Sequence, residues 1–244
     1  MLREKLMPLL MRLFYPWADG VIAISQGVRE DLLKIVRMPE EKVKVVYNPS
    51  ITPEIFAKAD EPLGHPWFGP GEPPVIPGVG RLTAQKDFPT LIRAFAMVPN
   101  KRSARLMILG EVENRHELDR LVGEMGLETD VEISGFLNNP YKYIKRAAVF
   151  VLSSRFEGLS NVLIEAMSLG TPVISTDCTS GPGEILEYGR RGLLVPVSDI
   201  EAMAKAIVVT LQGNRINPVN EFSAFVLDNV LNKYAEVLEI DMYS

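Results

Sequence analysis

Residues 148–177 read AVFVLSSRFEGLSNVLIEAMSLGTPVISTD, and the residue types change along them in the order strand, loop, helix, strand. AVFVLSS (148–154) and PVISTD (172–177) are apolar runs too short for helices and rich in strand-forming residues. Between them, Asn161 to Leu169 places its apolar residues on a helical period. Two strands joined through a helix lie parallel in one sheet. Strands that are apolar without alternation require that sheet to be covered on both faces.

The same unit repeats outward in both directions. Short apolar runs stand at GVIAIS (20–25), VKVVY (43–47), PVIPGVG (74–80), RLMILG (105–110), VEISGF (131–136) and LLVPV (193–197). Helical patterns lie between them at Asp87 to Met97, Arg115 to Met125 and Asp199 to Leu211. In the first of these, Asp87 stands at a capping position, Pro89 follows early, and Leu91, Ile92, Phe95 and Ala96 share one face. The expected fold is α/β, a doubly wound parallel sheet. Pro77 lacks the N–H that a ladder uses, so its strand is expected to be bulged or at an edge. Pro and Gly crowd residues 60–74 (DEPLGHPWFGPGEPP), which predicts a linker or irregular edge ahead of a coherent unit over about 73–215. Such folds bind ligands at the carboxyl ends of the strands, just after GVG, ILG, ISGF, LSS and STD.

Composition narrows the function. The chain has 244 residues, 47% hydrophobic and 23% charged, enough for one complete domain plus part of another. Its net charge of -5 argues against a broad nucleic-acid surface. Cys178 is the single cysteine, which excludes an internal disulfide and a thiolate metal cage and fits a reducing compartment. With only His65 and His116, far apart, no metal site is expected, and the two read as loop and helix-surface residues. No apolar run is long enough to span a bilayer, and Arg12 interrupts the apolar N-terminal stretch as a signal peptide would not allow, so a cytoplasmic location is expected.

Two clusters carry chemistry. In GVGRLTAQKDFPTLIRAF (78–95), a strand ends at Gly80, Arg81 and Lys86 stand in the loop, and a helix opens near Asp87. Two cations beside helical N–H groups suit a diphosphate, although solvated loop charges give the same pattern. Gly78-x-Gly80 lacks the third glycine of a dinucleotide fingerprint. In the second cluster, Glu157 follows AVFVLSS and Glu165 lies about one turn into the next helix, an E-x7-E spacing. Carboxylates there accept hydrogen bonds from vicinal sugar hydroxyls, and the N–H groups of Leu159 to Val162 bind phosphate oxygens. A loop cap and a helix-surface charge are the plain alternatives for the two glutamates.

In this order the clusters resemble the donor domain of GT-B glycosyltransferases of the family-4 type, the group-1 retaining enzymes. The resemblance runs from Asp19 to Tyr234 through ADGVIAIS, VVYNP (45–49), GRLTAQKDFPTLIRAF, EGLSNVLIEAMSLGTPVISTD, SGPGEILEYGRRGLLVPV and a closing helix from Phe222. It implies a Rossmann-like half of a GT-B fold with a remnant of a second domain: residues 1–50 as the end of an acceptor domain, 51–72 as linker, 73–215 as the nucleotide-sugar-binding domain and 216–244 as a C-terminal crossing helix. It implies that Arg81 and Lys86 neutralise the departing diphosphate, that Glu157 contacts the donor sugar and that Glu165 holds the ribose hydroxyls. Phe136 and Leu137 are implied beside the base. Gly80, Gly158, Leu159, Ser160, Asn161 and Val162 are implied around the phosphates.

The partners implied are a nucleotide sugar, UDP favoured and GDP as the alternative, and a glycan or lipid-linked acceptor, with no cofactor and no metal. A weak likeness of TDCTSGPGEIL to enzymes using N-acetylated hexosamines points to a hexose or N-acetylhexosamine. Glu111 departs from the family's phosphate-facing loop. An intact relative has a further stretch ahead of Asp19, so this chain alone is expected to bind donor but transfer weakly, with a separate acceptor domain or self-association completing it. A non-catalytic nucleotide-sugar-binding subunit and a Rossmann-like oxidoreductase are the rival readings. MLREKLMPLLMRLFYPW (1–17), with Arg3, Lys5 and Arg12 among apolar residues, suggests peripheral contact with the inner membrane face, or packing on the rest of an acceptor domain.

Overall fold

The computed structural model describes residues 2–99, 104–110, 115–214, 216 and 222–239. Glu111 lies outside the described residues, as do the side chains of Arg3 and Lys5. The chain opens with helix α1 (Leu2–Phe14), strand β1 (Val21–Ala23), helix α2 (Gln26–Ile35) and strand β2 (Val43–Val45). The two strands pair in parallel with Val21 opposite Val43, and α2 is their crossover. Ser25 starts α2 by accepting the N–H of Val28 at 3.1 Å. No described helix is long and apolar enough to cross a membrane.

Helix α3 (Pro53–Asp60) leads into the larger unit, whose strands are β3 (Val75–Val79), β4 (Arg105–Leu109), β5 (Val131–Gly135), β6 (Phe150–Leu152), β7 (Val173–Thr176) and β8 (Leu193–Val195). They form two parallel three-stranded ladders, β3-β4-β5 and β6-β7-β8. β3 and β6 lie side by side, with Ala148 N–H donating to Val75 O at 2.9 Å. Helices α4 (Phe88–Ala96), α5 (Arg115–Glu124), α6 (Tyr141–Lys145), α7 (Asn161–Ser168) and α8 (Pro182–Ile185) make the crossovers; α9 (Ile200–Leu211) follows the last strand, and α10 (Leu227–Leu238) comes after it. The doubly wound α/β architecture is as the sequence predicts.

Pro77 is the instructive exception. β3 is flanked by β4 and β6 rather than lying at an edge, and its register with β4 runs unbroken from Val75–Arg105 to Val79–Leu109. Alternate residues of a strand bond to opposite neighbours. Gly80 donates to Leu109 O on β4, whereas Val75 accepts from Ala148 on the β6 side, so Pro77 turns its missing donor toward β6. That is the seam where the two ladders meet.

Alternation also sorts the core. Ile76, Leu106 and Ile108 face α4, α5 and α9, packing on Leu91, Phe95 and Ile207. Val75, Met107 and Leu109 face the other way and are covered by Trp67, Phe68 and Tyr143. Residues 51–72, expected as linker, therefore hold α3 and part of this cover. Asn139 Nδ2 donates to Lys58 O at 2.8 Å and Arg146 Nη1 to Ala59 O at 2.9 Å, fixing α3 beside α6. His65 belongs to the same layer: Nδ1 accepts the N–H of Trp67, which leaves its proton on Nε2, 3.1 Å from Glu132. The C-terminal segment returns to the junction, where Ile51 N–H donates to Phe225 O at 3.0 Å and Leu227 N–H to Ile51 O at 3.1 Å.

At the carboxyl ends β3 and β4 come so close that a Cβ on Gly110 would sit 1.7 Å from Gly80 O. Gly110→Ala is expected to lower stability by about 3 kcal/mol or more, or to prevent folding, measured by urea denaturation. A loss below about 1 kcal/mol would show that the strand ends relax freely.

Candidate functional site

The loop after β3 and the loop after β6 are sewn together at the carboxyl edge of the sheet. Ser153 Oγ donates to Lys86 O at 2.6 Å, Arg155 N–H to Gln85 O at 2.7 Å, and Gln85 Nε2 to Phe156 O at 3.0 Å. Across this seam Lys86 Nζ meets Glu157 Oε1 at 2.7 Å, the two side chains being 16% and 7% exposed. Ser154 Oγ donates to the same carboxylate oxygen at 2.6 Å. Gly80 makes room for this pair: it has φ 155°, and a Cβ there would lie 2.8 Å from Lys86 Cε. Asp87, expected to cap α4, instead has φ 46°, and its Oδ2 accepts from Arg155 Nε and Ser198 Oγ, each at 3.0 Å. Tertiary partners outcompete the local cap.

Arg81 is exposed and lines a cleft of about 220 Å³ with Gly80, Phe136 and Leu137. Val79, Leu109, Gly110 and Pro140 complete it. The structure thus brings one predicted cation and both predicted base-side residues to one wall. Phe136 is 70% exposed, a free aromatic face at the end of β5.

Helix α7 supplies the other side. Ser160 stands at its N-cap position but makes no capping bond, and its buried hydroxyl finds no partner among the described residues. Leu159 is buried, while Gly158 packs on Ile24. Val162 leans on the core cluster of Phe150 and Leu163. Asn161 does not present a free carboxamide: its Oδ1 accepts from Asn48 Nδ2 at 3.2 Å and Ser50 Oγ at 3.1 Å. With no side chain capping this helix start, the polar groups it offers are its first backbone amides.

Glu165 is half-buried one turn further along α7, and its carboxylate has no hydrogen bond among the described residues. Burial raises its pKa from 4.5 to about 7. Its charge reaches Tyr141, whose phenol is pushed up by burial first and then by Glu165 and Glu54. Tyr141 follows Pro140 of the cleft, so Glu165 lies near that end of the cleft. Cys178 is buried near Glu157, and burial holds its thiol protonated with a pKa of about 11.

Ser154, Gln85 and Tyr141 were not foreseen. Gln85 meets Phe156 and Tyr141 lies near Glu165 from distant segments, for which no local spacing exists, whereas Ser154 reaches Glu157 only three residues on.

Residues 66–220 match the family model described as glycosyl transferases group 1, and residues 1–50 match that of glycosyltransferase family 4. The N-acetylgalactosamine-N,N'-diacetylbacillosaminyl-diphospho-undecaprenol 4-alpha-N-acetylgalactosaminyltransferase of Campylobacter jejuni is 36% identical over 207 residues, 85% of this chain and 54% of that protein. The lipopolysaccharide core biosynthesis glycosyltransferase LpsE of Rhizobium meliloti is 35% identical over 198 residues, 81% of this chain and 55% of that protein. Among solved structures, the lipopolysaccharide outer core galactosyltransferase WaaB in its apo form superposes with a TM-score of 0.73 at 26% identity, covering 91% of this chain and 62% of that one. HepE of Anabaena, solved with UDP and glucose, shares the fold with a TM-score of 0.78 at 22% identity, covering 96% and 66%. The chain spans about half the length of the curated relatives it matches.

The raised pKa of Glu165 has a definite sign. The folded state binds this proton more tightly than the unfolded state, so the contribution to stability is full below pH 4.5 and is lost as pH rises through about 7. Glu165→Gln is expected to stabilise the protein at pH 8.5 by roughly 2–3 kcal/mol, and by under about 1 kcal/mol at pH 5, in urea denaturation. An equal effect at both pH values would rule out a buried, proton-binding carboxyl.

Proposed function

Because the chain belongs to the glycosyl transferases group 1 family and folds as a Rossmann-like half of a GT-B enzyme, we propose that it is the donor-binding half of a retaining glycosyltransferase. In this reading it binds a nucleoside diphosphate hexose or N-acetylhexosamine, and the sugar passes to a hydroxyl of a glycan or lipid-linked acceptor. The observation that carries it is the convergence, at the strand tips, of the Lys86–Glu157 pair with a cleft lined by Arg81 and Phe136.

Each group has work that its setting suits. Arg81, exposed at the cleft, offers a planar fork of donors to the diphosphate. Lys86 has one of its three donors on Glu157, leaving others for phosphate oxygens as negative charge builds on the leaving group. The uncapped amides of α7 face the same oxygens. Glu157, oriented by Lys86 and Ser154, is placed to accept from the donor sugar. Glu165 in its ionised form accepts both ribose hydroxyls, and Phe136 stacks on the base.

UDP is the first nucleotide to test, being the one named with HepE, and GDP is the alternative. The names of the Campylobacter and Rhizobium relatives support a lipid-linked or lipopolysaccharide acceptor. A cytoplasmic place at the inner membrane face belongs to the same proposal, supported by the exposed Leu6, Leu9, Leu13, Phe14 and Trp17 of the α1 region. The oxidoreductase reading falls with family membership.

Calorimetric titration of UDP and GDP decides the site. Arg81→Ala and Glu165→Ala are each expected to weaken the preferred nucleotide at least about tenfold, or about 1.4 kcal/mol. Unchanged affinity in both variants would refute it.

A further inference from the structure

Helix α2 begins at the rim of the nucleotide site, held by a side chain that none of the roles above uses. Gln26 is its first residue, so its N–H has no partner within the helix. Both oxygens of Glu184 accept that N–H, at 3.2 and 3.0 Å. Glu184 also takes the phenol O–H of Tyr47, beyond the end of β2. A carboxylate at a helix N-terminus is favoured by the helix dipole, and these bonds lie near the surface, where water competes. A second anchor comes from the residue before. Ser25 Oγ donates to Gly158 O at 2.7 Å, next to Glu157. Gly27 completes the close fit, since a Cβ there would lie 2.8 Å from Ser180 Cα.

We infer that Glu184 is a positioning residue that seats the start of α2 on the 157–160 loop, so that ordering of this loop by a nucleoside diphosphate is passed to residues 20–46. The inference rests on the nucleotide-sugar site proposed above. Its physical basis is the number of anchors. Gly158 lies between Glu157, paired with Lys86, and the start of α7, so a diphosphate bound there fixes the carbonyl that Ser25 holds. With that anchor alone, the start of α2 is held to this loop by one hydrogen bond. With Glu184 as the second, on the other wall of the seat, its direction is set, and Tyr47 carries the constraint to the crossover between the two units.

The test is hydrogen–deuterium exchange on the whole chain, with and without the nucleotide that calorimetry selects, UDP or GDP. In the wild type the nucleotide is expected to slow exchange across residues 20–46 at least threefold. Glu184→Ala is expected to abolish that slowing while its nucleotide Kd stays within threefold of wild type, and Glu184→Gln, which keeps one acceptor oxygen, to restore at least half of it. Slowing that persists in Glu184→Ala overturns the inference, and so does a Kd weakened by more than threefold, which would put Glu184 in the binding site itself. If Glu184→Ala does not fold, Gly27→Ala applies the same test by wedging Ser180 away, with the same loss expected. A wild-type chain that binds neither nucleotide overturns the functional reading instead. One that binds normally with unchanged exchange over 20–46 overturns this inference alone.

Discussion

The ion pair between Lys86 and Glu157 is the contact around which the strand tips are arranged. Removing two charges from water is costly, and the cost is offset only when geometry is tight and the remaining lone pairs are satisfied. The geometry is tight here: the atoms are 2.7 Å apart, and Ser154 bonds the same carboxylate oxygen. The pair can form because the loops after β3 and β6 are already joined by three hydrogen bonds at residues 85, 86, 153, 155 and 156. Lys86 and Glu157 are thereby held together at the carboxyl ends of β3 and β6.

Close packing of bare backbone lets this arrangement stand at the sheet edge. Gly80 lets the Lys86 stem cross it, and Gly110 lets the end of β4 press against Gly80. Gly78 does the same on the helical side, where a Cβ would come 2.9 Å from Leu91 Cδ2. Pro77 shares in this order by placing its missing donor at the seam between the two ladders. The central strand therefore delivers its loop to the middle of the site.

Glu165 follows the opposite principle to Glu157. One carboxylate is buried with a cation, the other is half-buried without a hydrogen bond among the described residues, and the second therefore holds its proton to about pH 7. Such a group is poised to exchange a proton for hydrogen bonds from a ligand.

By itself the sequence determined the eight strands, the principal crossover helices and the doubly wound fold, because apolar periodicity and strand length are local properties. It also placed Arg81, Lys86 and Glu157 at strand tips, since the loop after a parallel strand always emerges there, and Glu165 on the helix that follows. Spacing could not say which of these charges pair, that Asn161 would turn to Asn48 and Ser50, or that Asp87 would forgo its cap for Arg155. Nor could it show that residues 51–72 cover the sheet with Trp67 and Phe68. Those outcomes were decided by tertiary structure, for one reason. A polar side chain selects its partner from whatever the folded backbone brings within about 3 Å, and that company is assembled from segments distant in the chain.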